Sequence, residues 1–137
     1  MWYSEDGVTW EGVADSGFTN KPAIIDIAYG GGKFVAVGQD EVEVKMAYSE
    51  DGITWTAAEQ SIFGEGDRIR SIAYGGGKFI AVGGGSGKMA YSTDGIIWTA
   101  VADSPTSNRG IRDIAYGNGK FVAVLGEDKI AYSNNQE

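Results

Sequence analysis

The chain contains no cysteine and no histidine. The first absence excludes a disulfide framework, a thiolate metal site and a thiol nucleophile. The second excludes a Ser-His-Asp triad, histidine-bound zinc and the commonest general base. Proline is reduced to two residues, and no Gly-X-Y period accompanies it, so a collagen-like chain is excluded. Long apolar runs are missing, and no segment can span a bilayer. The start, Met1-Trp2-Tyr3-Ser4-Glu5-Asp6, has neither the basic flank nor the apolar stretch of a signal peptide. Positive charge is scarce, with 11 Lys and Arg against 19 Asp and Glu, for a net charge of −8. That balance disfavours nucleic acid and an anionic membrane as partners. No compartment follows from this, and an extracellular or virion-surface setting stays open.

What the chain has in excess is glycine, 22 of 137 residues, roughly twice the usual share of about 7%. Hydrophobic residues make up 42%, enough for a globular core. Glycines spaced between short apolar runs point to many tight turns and an all-β fold. Internal repetition confirms the pattern. IIDIAYGGGKFVAV (24–37) returns as IRSIAYGGGKFIAV (69–82) and IRDIAYGNGKFVAV (111–124). KMAYSEDGITWTA (45–57) returns as KMAYSTDGIIWTA (88–100), with partial copies MWYSEDGVTWEG at the start and KIAYSNN near the end. The repeated serine falls at 4, 49, 92 and 133, so copies lie 45, 43 and 41 residues apart. A period in the low forties, built of short strands, suits a four-stranded propeller blade.

Each repeat divides into strands A to D. In the middle copy these are expected at Ile69 to Tyr74, Lys78 to Val82, Lys88 to Ser92 and Ile96 to Ala100. The A–B turns are Gly-Gly or Asn118-Gly119, as hairpins needing positive φ demand. Ala28, Ala36 and Ala47 keep side chains small where blades converge. The organisation expected is one segment over 1–137, with repeats at about 24–68, 69–110 and 111–133. Residues 1–23 supply the missing outer strand.

Three hairpins carry Ser-x-Asp-Gly-x-x-Trp. The first is Ser4, Asp6, Gly7 and Trp10; the second is Ser49, Asp51, Gly52 and Trp55; the third is Ser92, Asp94, Gly95 and Trp98. This resembles the Asp box, or bacterial neuraminidase repeat, of sialidase-like β-propellers and their non-enzymatic relatives. The resemblance covers essentially the whole chain. A turn aspartate accepts backbone N–H groups, the glycine takes the left-handed position, and the tryptophan offers a large surface to bury. Because the three copies belong to three blades, they are read as residues that staple their own hairpins rather than as a joint metal or catalytic site.

Closed propellers use typically four to eight blades. About three blades leave an apolar face open at each end, so a homodimer closing one six-bladed ring is expected. The last repeat has strands A, B and C without D, and the first residues hold a spare D (Val8 to Val13). Pairing Lys129–Ser133 of one chain with Val8–Val13 of the next completes a shared blade. Trp2-Tyr3-Ser4 and Ala131-Tyr132-Ser133 are copies of the same strand, so only one fills that slot and the other should fray.

Strand alternation puts the constant A–B and C–D turns on one face and the variable B–C and D–A loops on the other. The variable face is the expected binding face. Its candidate residues are Arg68, Arg70, Arg109, Arg112, Asp67 and Asp103, with Arg70 and Arg112 at equivalent positions near the start of strand A. Lectin-like glycan binding without catalysis, cofactor or metal leads the functional readings; a self-assembling scaffold with no ligand is the alternative. Sialidases use an arginine triad, a Tyr–Glu nucleophile pair and an acidic proton donor. None of the four arginines here matches that triad, so a glycoside hydrolase ranks last. Two further motifs fail. Gly83-Gly84-Gly85-Ser86-Gly87-Lys88 lacks the phosphate-loop glycine at Val82 and the Ser or Thr at Met89. Gln39 to Glu43 lacks the alternating ligands of a calcium loop.

Overall fold

The computed structural model describes residues 1–14, 16, 23–39, 43–60, 62–64, 67–83, 88–102, 110–126 and 129–133. Among these, thirteen strands form, and no helix is long and apolar enough to cross a membrane. Strands β3 (Ala23–Gly30), β4 (Lys33–Gln39), β5 (Val44–Ser49) and β6 (Thr56–Ala58) make a first antiparallel meander. Strands β7 (Ile69–Gly75), β8 (Lys78–Gly83), β9 (Met89–Ser92) and β10 (Thr99–Ala100) make a second. The third sheet holds only β11 (Ile111–Gly117), β12 (Lys120–Leu125) and β13 (Ile130–Tyr132). A separate hairpin pairs β1 (Trp2–Tyr3) with β2 (Glu11–Gly12). The chain is thus all-β, with about three four-stranded blades, the last holding three strands among the described residues.

The inner hairpins turn where the repeat predicts. Gly31-Gly32 (φ 60° and 83°), Gly76-Gly77 (58° and 82°) and Asn118-Gly119 (50° and 76°) all hold two successive left-handed residues. This is the tight turn whose twist matches that of the strands it joins. The outer strands are shorter than expected. β10 begins at Thr99 rather than Ile96, because the amides of Ile96 and Ile97 are held by Asp94 and cannot join a ladder. β2 begins at Glu11 for the same reason, with Val8 and Thr9 held by Asp6. Both terminal copies of strand C are paired within the single chain, β13 on β12 and β1 on β2.

Apolar residues on opposite faces of each strand feed different interfaces, the period-two pattern of sheets buried on both sides. Val35, Val37 and Met46 of the first blade meet Ile72, Phe79, Ala81 and Ala90 of the second around Trp98. Ala73, Ile80 and Val82 of the second meet Ile114, Phe121 and Ala123 of the third. Met1 and Val13 of the N-terminal hairpin pack on Ala36, Ala47 and Trp55 of the first blade. That hairpin therefore docks as the C and D strands of a blade preceding the first.

Candidate functional site

The three Ser-x-Asp-Gly turns form one repeated cage. Asp51 Oδ1 accepts the amides of Ile53 and Thr54, both at 2.8 Å, while Ser49 Oγ accepts the amide of Gly52 at 2.8 Å and donates to Asp51 at 3.0 Å. Asp6 and Asp94 repeat these bonds with Ser4 and Ser92. Gly7, Gly52 and Gly95 sit at φ 77°, 79° and 79°, a conformation that side chains disfavour. The backbone amides, chiefly those of the residues three and two positions on, hold all three carboxyls below the ordinary carboxylate range. Oδ1 of each aspartate is taken up by its own turn. The tryptophans diverge: Trp55 and Trp98 are 7% and 8% exposed, but Trp10 is 54% exposed.

On the opposite face, Arg109 and Asp103 lie outside the described residues, as do Asp15, Asp40, Glu41, Glu65, Glu127 and Asp128 of the variable loops. Asp67 is committed to structure. Its Oδ2 accepts from Lys88 Nζ at 2.7 Å and from the Gly64 amide at 2.8 Å. Burial pushes its carboxyl up, but the Lys88 ammonium and that amide outweigh burial and leave it below the ordinary range. Gln60 closes the same D–A loop, its Oε1 accepting the amides of Ile62 and Phe63. Gln39 Oε1 accepts the Ile69 amide at 2.9 Å, tying the first blade to the second. Arg68 remains exposed at the loop's end.

Arg70 and Arg112 are placed by a shared irregularity. The inner ladders skip one residue in each blade, between Ile24 and Asp26, Ile69 and Ser71, and Ile111 and Asp113. The extra residues are Ile25, Arg70 and Arg112, each with no cross-strand partner. Such a bulge bends the strand and re-aims the side chain. Both arginines are exposed, and among the described residues neither has an ion-pair partner.

One residue further in, the same bulge lines up Asp26, Ser71 and Asp113, which sequence reasoning missed. β3, β7 and β11 run side by side where the blades converge. The Ser71 hydroxyl bridges Asp26 Oδ2 at 3.0 Å and Asp113 Oδ1 at 2.7 Å, and is 3% exposed. Asp26 also accepts the Ile72 amide of the next blade at 3.0 Å. The signal lay in the repeat, where IID, IRS and IRD share a short polar third position. Its meaning needed the three strands in contact. The site thus has cationic side chains at the mouth of the inner strands and a polar brace of carboxylates behind.

No family profile and no curated protein matches this chain. Solved structures do match it. YCF48 bound to D1 peptide superposes with a TM-score of 0.68 at 21% identity over 83% of this chain and 38% of that one. YCF48 from Cyanidioschyzon merolae gives 0.65 at 18% identity, over 86% and 36%. A GH32 β-fructofuranosidase from Bombyx mori in complex with sucrose gives 0.51 at 15%, over 74% and 30%. All are β-propellers. The fold here is that of a β-propeller. The chain spans under two fifths of the length of each of these structures.

Proposed function

We propose that this chain is a non-enzymatic β-propeller binding module of the Asp-box type. It completes its ring with a second copy and takes a carboxylate-bearing ligand, foremost an acidic glycan, on the face of the B–C and D–A loops. The bulged pair Arg70 and Arg112 carries this reading. A strand irregularity repeated in every blade leaves both arginines out of the ladder, exposed and with no ion-pair partner among the described residues. Guanidinium binds carboxylate in a bidentate fork. Behind it, Asp113 Oδ2 holds no hydrogen bond among the described residues, leaving an acceptor for a sugar hydroxyl. Two copies double these groups around one mouth, so weak contacts add by avidity. The identical cages at Asp6, Asp51 and Asp94 support the Asp-box assignment, and their occupation with backbone amides favours a folding role over a chemical one.

The second copy is supported by the open flanks. Ile27 and Tyr29 on β3 are 47% and 58% exposed, and Val124, Ile130 and Tyr132 on the third blade are 44%, 71% and 68% exposed. Such apolar surface at both ends of a half ring favours head-to-tail closure.

Binding of the full chain to an array of sialylated, uronate and neutral glycans tests the ligand, with acidic peptides as a parallel arm. Acidic glycans are expected to bind and to weaken with added salt; Arg70→Ala with Arg112→Ala should cost about tenfold or more. Equal binding by the double variant, or a preference for neutral glycans, would reject the arginine site. Acidic peptides bound in place of glycans would move the ligand to the peptide class. Turnover of a fluorogenic sialoside that persists through purification would overturn the non-enzymatic reading.

A further inference from the structure

Among the exposed aromatic side chains, Trp10 and Tyr29 have packed counterparts in the other repeats, and two places that such counterparts fill stand open. Where blade 1 meets blade 2, Trp98 fills the space among Val35, Met46 and Ala58 on one side and Phe79, Ala81 and Ala90 on the other. Where blade 2 meets blade 3, the residues at the same repeat positions are Ile80, Met89, Val101, Phe121, Ala123 and Ala131. They line an open, mainly apolar cavity of about 350 Å³. In the third copy Asn135-Gln136 stands where Asp94-Gly95 stands in the second, and among the described residues no tryptophan of the third blade lines this cavity. Of the three Ser-x-Asp-Gly-x-x-Trp tryptophans, Trp10 is the one left exposed.

The second mismatch lies on the inner edge. The Tyr74 ring covers Gly30 so closely that a Cβ there would stand 1.9 Å from it, and Tyr116 covers Gly75 with a corresponding 2.0 Å. A Cβ on Gly117, the third residue of this series, would meet nothing within 4 Å. Tyr29, the first residue of the tyrosine series, is exposed.

Resting on the reading that two copies close one ring, we propose that Trp10 of each copy fills the cavity between blades 2 and 3 of the other, while Tyr29 covers the other's Gly117. In this arrangement β13 keeps its place and β1 is displaced. The reason is Trp2, which stands in register with Ala47, Ala90 and Ala131. The Val13 amide on the Met1 carbonyl at 2.9 Å matches the Val101 amide on the Met89 carbonyl at 3.0 Å and fixes that register. Ala47 and Ala90 are fully buried, and Ala131 lines the cavity. An indole at that position would take the space that Trp10 needs. Ile130, in register with Met1, then takes over the contact with Trp55.

Sedimentation velocity over a concentration series of the full chain tests this, with far-UV circular dichroism as the check on folding. The wild type should sediment as two copies. Trp10→Ala should raise the dissociation constant about a hundredfold or more, since removing a buried tryptophan costs several kcal/mol. Gly117→Ala should block association equally while leaving the single chain folded, because Gly117 holds no left-handed φ and its Cβ has room. Trp2→Ala should associate as well as the wild type or better. A two-copy wild type whose Trp10→Ala and Gly117→Ala variants associate undiminished would overturn these seats and spare the ring. Loss of association in Trp2→Ala alone would show that β1, not β13, occupies the slot. A wild type of one copy at every concentration would overturn both the seats and the ring.

Discussion

The junction between blades 1 and 2 and the outer flanks of blades 1 and 3 are built from the same repeat, yet the first is closed and the second open. At the first, Trp98 is buried, Tyr74 lies on Gly30, and Gln39 and Asp26 cross over to the Ile69 and Ile72 amides. At the second, Trp10, Tyr29, Ile130 and Tyr132 keep more than half of their surface in water. The same residue types thus stabilise in one place and stand exposed in another. Burial depends on a neighbouring blade, and among the described residues none covers these side chains.

The contrast can be broken most strongly at Trp98. Trp98→Ala should destabilise the folded chain by about 3–5 kcal/mol, as large-to-small core changes do. Trp10→Ala, measured by urea unfolding below the concentration of association, should stay within about 0.5 kcal/mol of the wild type. Comparable losses for both would mean that Trp10 is already packed within one chain. Next comes Gly75→Ala, expected to cost about 1–3 kcal/mol by forcing the Tyr116 ring away. The matching change at Gly117 should cost almost nothing, and thermal melts of the pair give the comparison directly.

Acid should act on the turns more gently. Asp51 and Asp94 have lowered folded pKa values because backbone amides bind the charged form. Their contribution is therefore fully present above the unfolded carboxylate pKa of about 4 and is lost as pH falls through the folded values. Melting temperature should be level above about pH 5 and decline below about pH 4. Asp94→Asn should flatten that decline, and an unchanged profile would show that the cage does not set acid stability. Least affected of all should be Arg70→Ala, whose melting temperature is expected to match the wild type because the side chain has no ion-pair partner among the described residues.

Much of this architecture was legible in the residues. The repeated AYGGGKF and AYGNGKF segments mark the inner hairpins, since two successive left-handed positions need Gly or Asn. The Ser-x-Asp-Gly spacing marks the outer turns, because its hydrogen bonds reach only two or three residues along the chain. The start of β10 was misplaced by three residues, since apolar Ile96 and Ile97 look like strand until their amides are seen on Asp94. The Asp26–Ser71–Asp113 brace was missed because its members are 45 and 42 residues apart. The bond of Asp67 to Lys88 joins residues 21 apart, and nothing in the sequence marks it. The arginine pair falls near the start of strand A by repeat position alone, and only the skipped ladder residue shows that both lack a cross-strand partner.

Sequence alone was enough to determine the period, the strand order within a blade, the turn types and the count of about three repeats. These follow from backbone conformation and from hydrogen bonds between near neighbours in the chain. Tertiary structure decided which tryptophans are buried, which carboxylates bond across blades and which inner-edge glycines a tyrosine covers. Those outcomes depend on faces brought together from repeats more than forty residues apart, and identical residues meet different fates according to what lies across the gap.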